Sequence, residues 1–242
     1  MNFKSLISLF CLAIVTQLPT FVHAEVVIHG TRIIYPADTR ETVVQVSNNS
    51  NMPSLVQVWV DEGDSRNDPE NSNAPFVVLP ALSRVDAEQT QAFRVLALPR
   101  ASELSQTQET LYWLNVLDIP SKPKLEEDAS DPVNYLQIAI RSRIKFFYRP
   151  SSIENQVGLA AEKIEWKKQN DQILVKNPTP FYLTIKQINQ TVDKINTPIF
   201  PEGLMLAPFS EQSINLPTNY FDNLSYIIIN DYGAYAEYNI KF

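Results

Sequence analysis

The chain has 242 residues, a formal net charge of −7 at neutral pH, 44% hydrophobic residues and a single cysteine, Cys11. The acidic balance argues against a general nucleic-acid binder, which carries a basic excess, and one cysteine cannot build a disulfide framework. The length suits two domains of about 100 residues each rather than one sandwich.

The first 24 residues read as a cleaved signal peptide: Lys4 gives the positive start, Leu6 to Val15 an apolar run, and Val22-His23-Ala24 a small-residue cleavage site. That run falls short of the about 20 apolar residues a bilayer requires, so export without membrane insertion is expected. Cleavage before Glu25 removes one lysine and takes the charge to −8, and it removes Cys11 and His23 as well. No thiol chemistry is left, although an exported chain is permitted disulfides. His29 is then the one remaining histidine. No Gly-x-Ser-x-Gly or His-Glu-x-x-His accompanies it, and an isolated histidine specifies no catalytic or metal site.

From Glu25 onward strand signals recur: Glu25–Tyr35, Glu41–Asn48, Ser54–Asp61, Phe76–Pro80, Gln89–Leu98 and Glu109–Ile119, β-branched or aromatic and largely alternating. Turn-rich pieces such as "DEGDSRNDPENSNAP" separate them, and no amphipathic helix of useful length appears. The pattern predicts an immunoglobulin-like antiparallel sandwich of about seven strands. A polar, acidic connector, Ser121–Val133, leads to "NYLQIAIRSRIKFFYRP", read as one long strand over Tyr135–Tyr148 that closes this domain at residues 25–148. Pro150 turns the chain into a second set, Glu162–Lys168, Gln172–Asn177, Phe181–Ile188, Gly203–Phe209, Gln212–Leu216, Ser225–Asp231 and Ala236–Phe242, a second sandwich at 149–242. The fold class is therefore all-β, two immunoglobulin-like sandwiches. So short a junction sets them at an angle with a ligand-accessible cleft between.

The long strand carries the functional signal. Fourteen residues at about 3.3 Å each extend roughly 45 Å, more than a 100-residue sandwich covers. Leu136, Ile138 and Ile140 share one parity with Ile144 and Phe146, and Arg141, Arg143 and Lys145 share the other. An uncovered edge with alternating aliphatics is an aggregation hazard. It is also a template onto which another chain can add a strand, by β-augmentation.

In order along the chain, "TRIIYPAD", "QETLYWLNVLDIPS", "NYLQIAIRSRIKFFYRP", "KNPTPFYLTI", "MLAPFSEQSI" and "INDYGA" resemble the landmarks of the periplasmic pilus-assembly chaperones of the chaperone–usher pathway, the PapD-like family. The resemblance implies a boomerang of two immunoglobulin-like domains in the periplasm that binds pilus subunits one at a time without ATP and delivers them to an outer-membrane usher. Leu136, Ile138 and Ile140 match the aliphatics that fill the subunit's open groove. Arg32 and Lys145 match the pair that anchors the subunit's C-terminal carboxylate. Glu109, Arg149 and Asp231 match an ion network that holds the domain angle, a structural role.

Ser105 and Thr107, just upstream of Glu109, depart from the family pattern. The connector is somewhat long for the short-loop branch, yet the cysteine pair usual in the long-loop branch is missing, which favours the short-loop type. The resemblance implies no enzyme activity, cofactor or metal, and no nucleic-acid partner. The edge hazard suggests a free protein that caps its strand by dimerising. Two other readings compete: an exported pilus subunit or adhesin, which would be an incomplete sandwich with an alternating N-terminal extension, and an exported glycosidase. The carboxylates cluster in turns such as Asp61–Glu70, with no defined acid–base pair for the latter.

Overall fold

The structure is a computed structural model that describes residues 26–64, 66, 68–122, 136–169, 172–192, 195–215 and 223–242. The expected signal peptide, Tyr135 and most of the 121–133 connector, on which the loop type rests, lie outside the described residues.

In chain order the first unit contains β1 (Val26–Ile28), β2 (Arg32–Pro36), β3 (Glu41–Asn48), β4 (Ser54–Asp61), β5 (Phe76–Leu79), β6 (Leu82–Val85), β7 (Thr90–Ala97), β8 (Thr110–Pro120) and β9 (Ile140–Arg149). They form a four-stranded sheet, β1-β3-β7-β5, facing a five-stranded one, β2-β9-β8-β4-β6. Period-two alternation sends Val44 and Val46 of β3, Val56 to Val60 of β4, Tyr112 to Val116 of β8 and Phe146 and Tyr148 of β9 into one shared core. Each such side chain contributes about 1.5–3 kcal/mol of burial.

The second unit contains β10 (Glu165–Gln169), β11 (Gln172–Lys176), β12 (Leu183–Val192), β13 (Ile195–Phe200), β14 (Leu204–Leu206), β15 (Glu211–Asn215), β16 (Leu224–Ile229) and β17 (Tyr235–Asn239). The sheet β10-β11-β15 packs on β13-β12-β16-β17, with β14 on the β12 edge. Its separate core centres on Ile173, Val175, Phe181, Ile185, Ile188 and Leu206. Tyr148 belongs to the first core and Ile153 to the second, so the chain crosses between them in a few residues. The only helices among the described residues are 3-10 turns of three to six residues.

Three expectations are corrected. Glu25–Tyr35 is two strands in different sheets, because Gly30 adopts φ 125°, a left-handed conformation open to glycine, and breaks the run between β1 and β2. Among the described residues the first sandwich has nine strands rather than about seven, and neither β6 nor β13 was foreseen. The long strand is shorter as a ladder. β9 begins at Ile140, where its last pair with β8, Asp118–Ile140, is made, while β8 itself runs on to Pro120 beside β4.

Candidate functional site

The geometry of β9 follows from its two neighbours. On one side it runs antiparallel to β8 from Ile140 to Tyr148. On the other it runs parallel to β2, but only from Lys145 to Arg149, where Arg32 is the register partner of Lys145. The β2-side edge of residues 140–144 therefore has no ladder partner among the described residues, and Leu136 to Ala139 have none on either side.

Even-numbered residues of this segment belong to the core face. Phe146 and Tyr148 are buried there and Ile144 packs against them. Ile140, Ile138 and Leu136 continue the same parity outward, at 59%, 58% and 83% exposure. Beyond the exposed Ser142, which separates them from Ile144, these three aliphatics stand in solvent as a surface suited to burial against something else.

Lys145 has the opposite parity, as alternation requires, and no bulge interrupts the β8–β9 register. It faces the second sandwich, where its Nζ donates to Thr184 Oγ1 at 3.1 Å. Arg32 Nη1 donates to the Ile229 carbonyl at 3.0 Å, while its buried Nε has no hydrogen-bond partner. Two cations side by side in a partly buried cleft are a costly arrangement. Burial, with Arg32 adding to it, pulls the Lys145 ammonium down to about 8. Burial also lowers the Arg32 guanidinium, opposed by Asp231 and Glu109. The pair is a ready anion site, a guanidinium fork beside an ammonium point charge.

Glu109, Arg149 and Asp231 are brought together at the junction. Arg149 Nε donates to Glu109 Oε1 at 2.7 Å, and its two terminal nitrogens grip Asp231 at 2.7 and 3.1 Å. Glu109 Oε2 accepts from the Tyr182 amide at 2.8 Å, and the Glu109 amide donates to the Pro180 carbonyl at 2.9 Å. Residues from both sandwiches thus share one network. With Glu109 at 2% exposure and Arg149 at 6%, it belongs with buried ion pairs. Burial pushes the Glu109 carboxyl up more than Arg149 and the Tyr182 N–H pull it down. The departure at Ser105 and Thr107 leaves the network intact: Ser105 Oγ accepts from the Thr107 and Gln108 amides and shapes the turn into Glu109.

One cluster was not anticipated from sequence. On the cleft-parity face of β9, Arg141 and Arg143 both reach fully buried Asp61, at 3.1 and 2.8 Å, and both donate from Nε to Asn115 Oδ1 at 2.9 Å. Asn115 Nδ2 donates to Asp61 at 2.7 Å. Arg141 lies over Trp59 and Arg143 over Trp113, at 4.6 and 5.0 Å from the ring centroids. The signal was available as Trp59-x-Asp61, Trp113-x-Asn115 and Arg141-x-Arg143, three strands offering matched residues at the same two-residue spacing. This clamp binds β9 to β8 and β4 where the exposed aliphatic row begins.

Two family models match the chain: the pili and flagellar-assembly chaperone PapD N-terminal domain over residues 25–154 and the pili assembly chaperone PapD C-terminal domain over 159–240. Chaperone protein MrkB of Klebsiella pneumoniae is 38% identical over 211 residues, covering 86% of this chain and 88% of its own. The probable fimbrial chaperone YehC of Escherichia coli is 35% identical over 232 residues, covering 96% and 91%. Among solved structures, the Pseudomonas aeruginosa CupB2 chaperone superposes with a TM-score of 0.74 at 32% identity, covering 89% of this chain and all of that one. The SafB chaperone of Salmonella enterica, solved in complex with the SafA pilin, gives 0.71 at 28% identity, covering 92% and 99%.

Proposed function

The chain belongs to the PapD-like pilus-assembly chaperones, and from that premise we propose that it is a periplasmic chaperone that captures pilus subunits by lending them its β9 edge. The observation that carries this reading is the coincidence of an open edge with an anion site at its end. Leu136, Ile138 and Ile140 stand exposed beside unpaired backbone, and the open stretch stops where Arg32 meets Lys145.

The direction of the bound strand follows. A subunit whose terminal carboxylate sits at Arg32 and Lys145, and whose preceding residues lie toward Leu136, runs parallel to β9. It occupies the part of the parallel ladder that β2 leaves open, so its last residue meets β2 end to end. The aliphatic row then fills an apolar gap in the subunit, at about 25 cal/mol per Å² of apolar surface removed from water, while both backbones gain ladder hydrogen bonds.

Glu109, Arg149 and Asp231 hold the two sandwiches, divided at residues 148 and 149, at the angle the cleft requires. The work is thermodynamic, with no chemical step and no cofactor: the subunit is stabilised, kept from its own kind, and passed to an outer-membrane usher. Export through a cleaved N-terminal signal completes the reading, and without a subunit the same edge pairs with a second copy. The rival reading, a pilus subunit, calls for an incomplete sandwich, whereas each strand set here encloses its own core.

Tagged protein purified from periplasm tests this. The wild type is expected to bring down pilus subunits stoichiometrically, and the Arg32→Ala, Lys145→Ala double variant to fold and bring down none. Normal subunit recovery by the double variant would overturn the anchor assignment.

A further inference from the structure

Arg32 and Lys145, with Arg143, line one side of a cavity of about 220 Å³ whose other walls include Trp113 and Ile144 from the first sandwich and Ile229 and Tyr235 from the second. A water molecule takes about 30 Å³ of liquid volume, so this is room for about seven waters, or for a carboxylate at the cations together with one large side chain. From this we propose that the cavity is a specificity pocket for the side chain of the subunit's last residue, and that it selects an aromatic one. The proposal rests on the carboxylate-anchor reading and adds to it a second determinant.

The placement follows from the ladder. A terminal residue held through its carboxylate by Arg32 and Lys145 turns its side chain either to the core face or to the cleft face. Both cations face the cleft, where their partners Ile229 and Thr184 belong to the second sandwich. Trp113 is the register partner of Lys145 on the β8 side and shares its face. A side chain leaving the anchored residue on this face enters the space between Trp113 and Tyr235.

The walls suit an aromatic group. Both principal walls are rings, and ring pairs gain from offset or edge contact beyond the area they bury. Each ring is also braced from elsewhere. Arg143 lies over Trp113 while its guanidinium is engaged by Asp61 and Asn115, and Lys186 lies 3.9 Å from the centroid of Tyr235. The guanidinium of Arg143 is thereby engaged within the first sandwich, leaving Arg32 and Lys145 to the carboxylate.

Three N-acetylated peptides test this, alternating valine and threonine over about ten residues, the length of the open edge, and ending in a phenylalanine acid, an alanine acid or a phenylalanine amide. Affinity is read by titration against the wild type and Tyr235→Ala, an exposed residue outside the anchor. The phenylalanine acid is expected to bind the wild type at least about tenfold more tightly than the alanine acid. That preference should shrink severalfold in Tyr235→Ala, with alanine-acid affinity unchanged. Equal binding of the two acids, with the amide weaker, would overturn the pocket and leave the anchor standing. Equal binding of all three would overturn the anchor and the pocket with it, and an undiminished preference in Tyr235→Ala would remove Tyr235 from the selecting wall.

Discussion

At the scale of single residues, Lys145 is the most informative group, because its position sets a pH dependence with opposite signs for folding and for binding. The native ammonium gives up its proton near pH 8, whereas in the unfolded chain it holds it to about 10.5. Between these values the unfolded state binds more protons, so the free protein gains stability as pH rises. Capture of a carboxylate behaves in the opposite way, since it needs the charged form and must take up a proton above about pH 8. Subunit or peptide affinity should fall about 30-fold between roughly pH 7 and pH 9.5, and calorimetry in buffers of different ionisation enthalpy should register proton uptake at the higher pH. Lys145→Arg, which stays charged, should flatten the profile. The sequence pointed to Arg32 and Lys145 through separate segments, and parity alone placed Lys145 opposite the aliphatic row. That the two are register neighbours in a parallel ladder is a matter of strand pairing across more than 100 residues, which no local pattern encodes.

At the scale of the element, β9 divides into a clamped part and a projecting part, and substitutions should separate them. Asp61→Ala leaves Arg141 and Arg143 without their shared buried counter-charge and is expected to cost about 3–5 kcal/mol of stability in urea denaturation. Ile138→Asp alters an exposed side chain, so stability should stay within about 0.5 kcal/mol of wild type. Yet it would place a carboxylate in the subunit's apolar gap and weaken capture at least about 100-fold. If Ile138→Asp instead unfolded the protein and Asp61→Ala did not, the division would be wrong. Alternation made the exposed row visible in sequence, but the clamp was not, because Asp61, Asn115 and the two arginines are joined only by the order β9-β8-β4. Strand ends failed for a similar reason: β9 is bounded by where its pairing with β8 and β2 stops, and β1 and β2 by the conformation of Gly30.

At the scale of the whole molecule, two independent cores meet through the Arg149 network and the Phe147–Tyr182 ring contact, and the proposed role of the network makes the angle between them sensitive to a few charges. Arg149→Ala strands buried Glu109 and should cost about 3–5 kcal/mol. Asp231 retains about 29% side-chain exposure, so Asp231→Ala should cost only about 1 kcal/mol while leaving the junction looser. Small-angle scattering should show a broader distribution of interdomain distances for Asp231→Ala with both sandwiches still folded; an unchanged profile would mean that the Glu109 half of the network holds the angle alone. Two sandwiches and their order were legible from strand spacing and from proline and turn residues. Their closeness was not: Gly233 comes so near Thr31 that an added Cβ would lie 2.6 Å from its hydroxyl, an approach between turns 200 residues apart that only the assembled fold reveals.

In the proposed complex, where a bound strand meets β2 end to end, Arg32 would act as a buffer stop. A subunit tail that runs parallel to β9 and halts there has its register set by length alone, and strand side chains alternate with a period of two. One residue added to such a tail would turn every upstream side chain inside out, and a second would restore the facing at a shifted position. Fit at this edge is therefore a question of odd and even, counted back from the last residue of the partner.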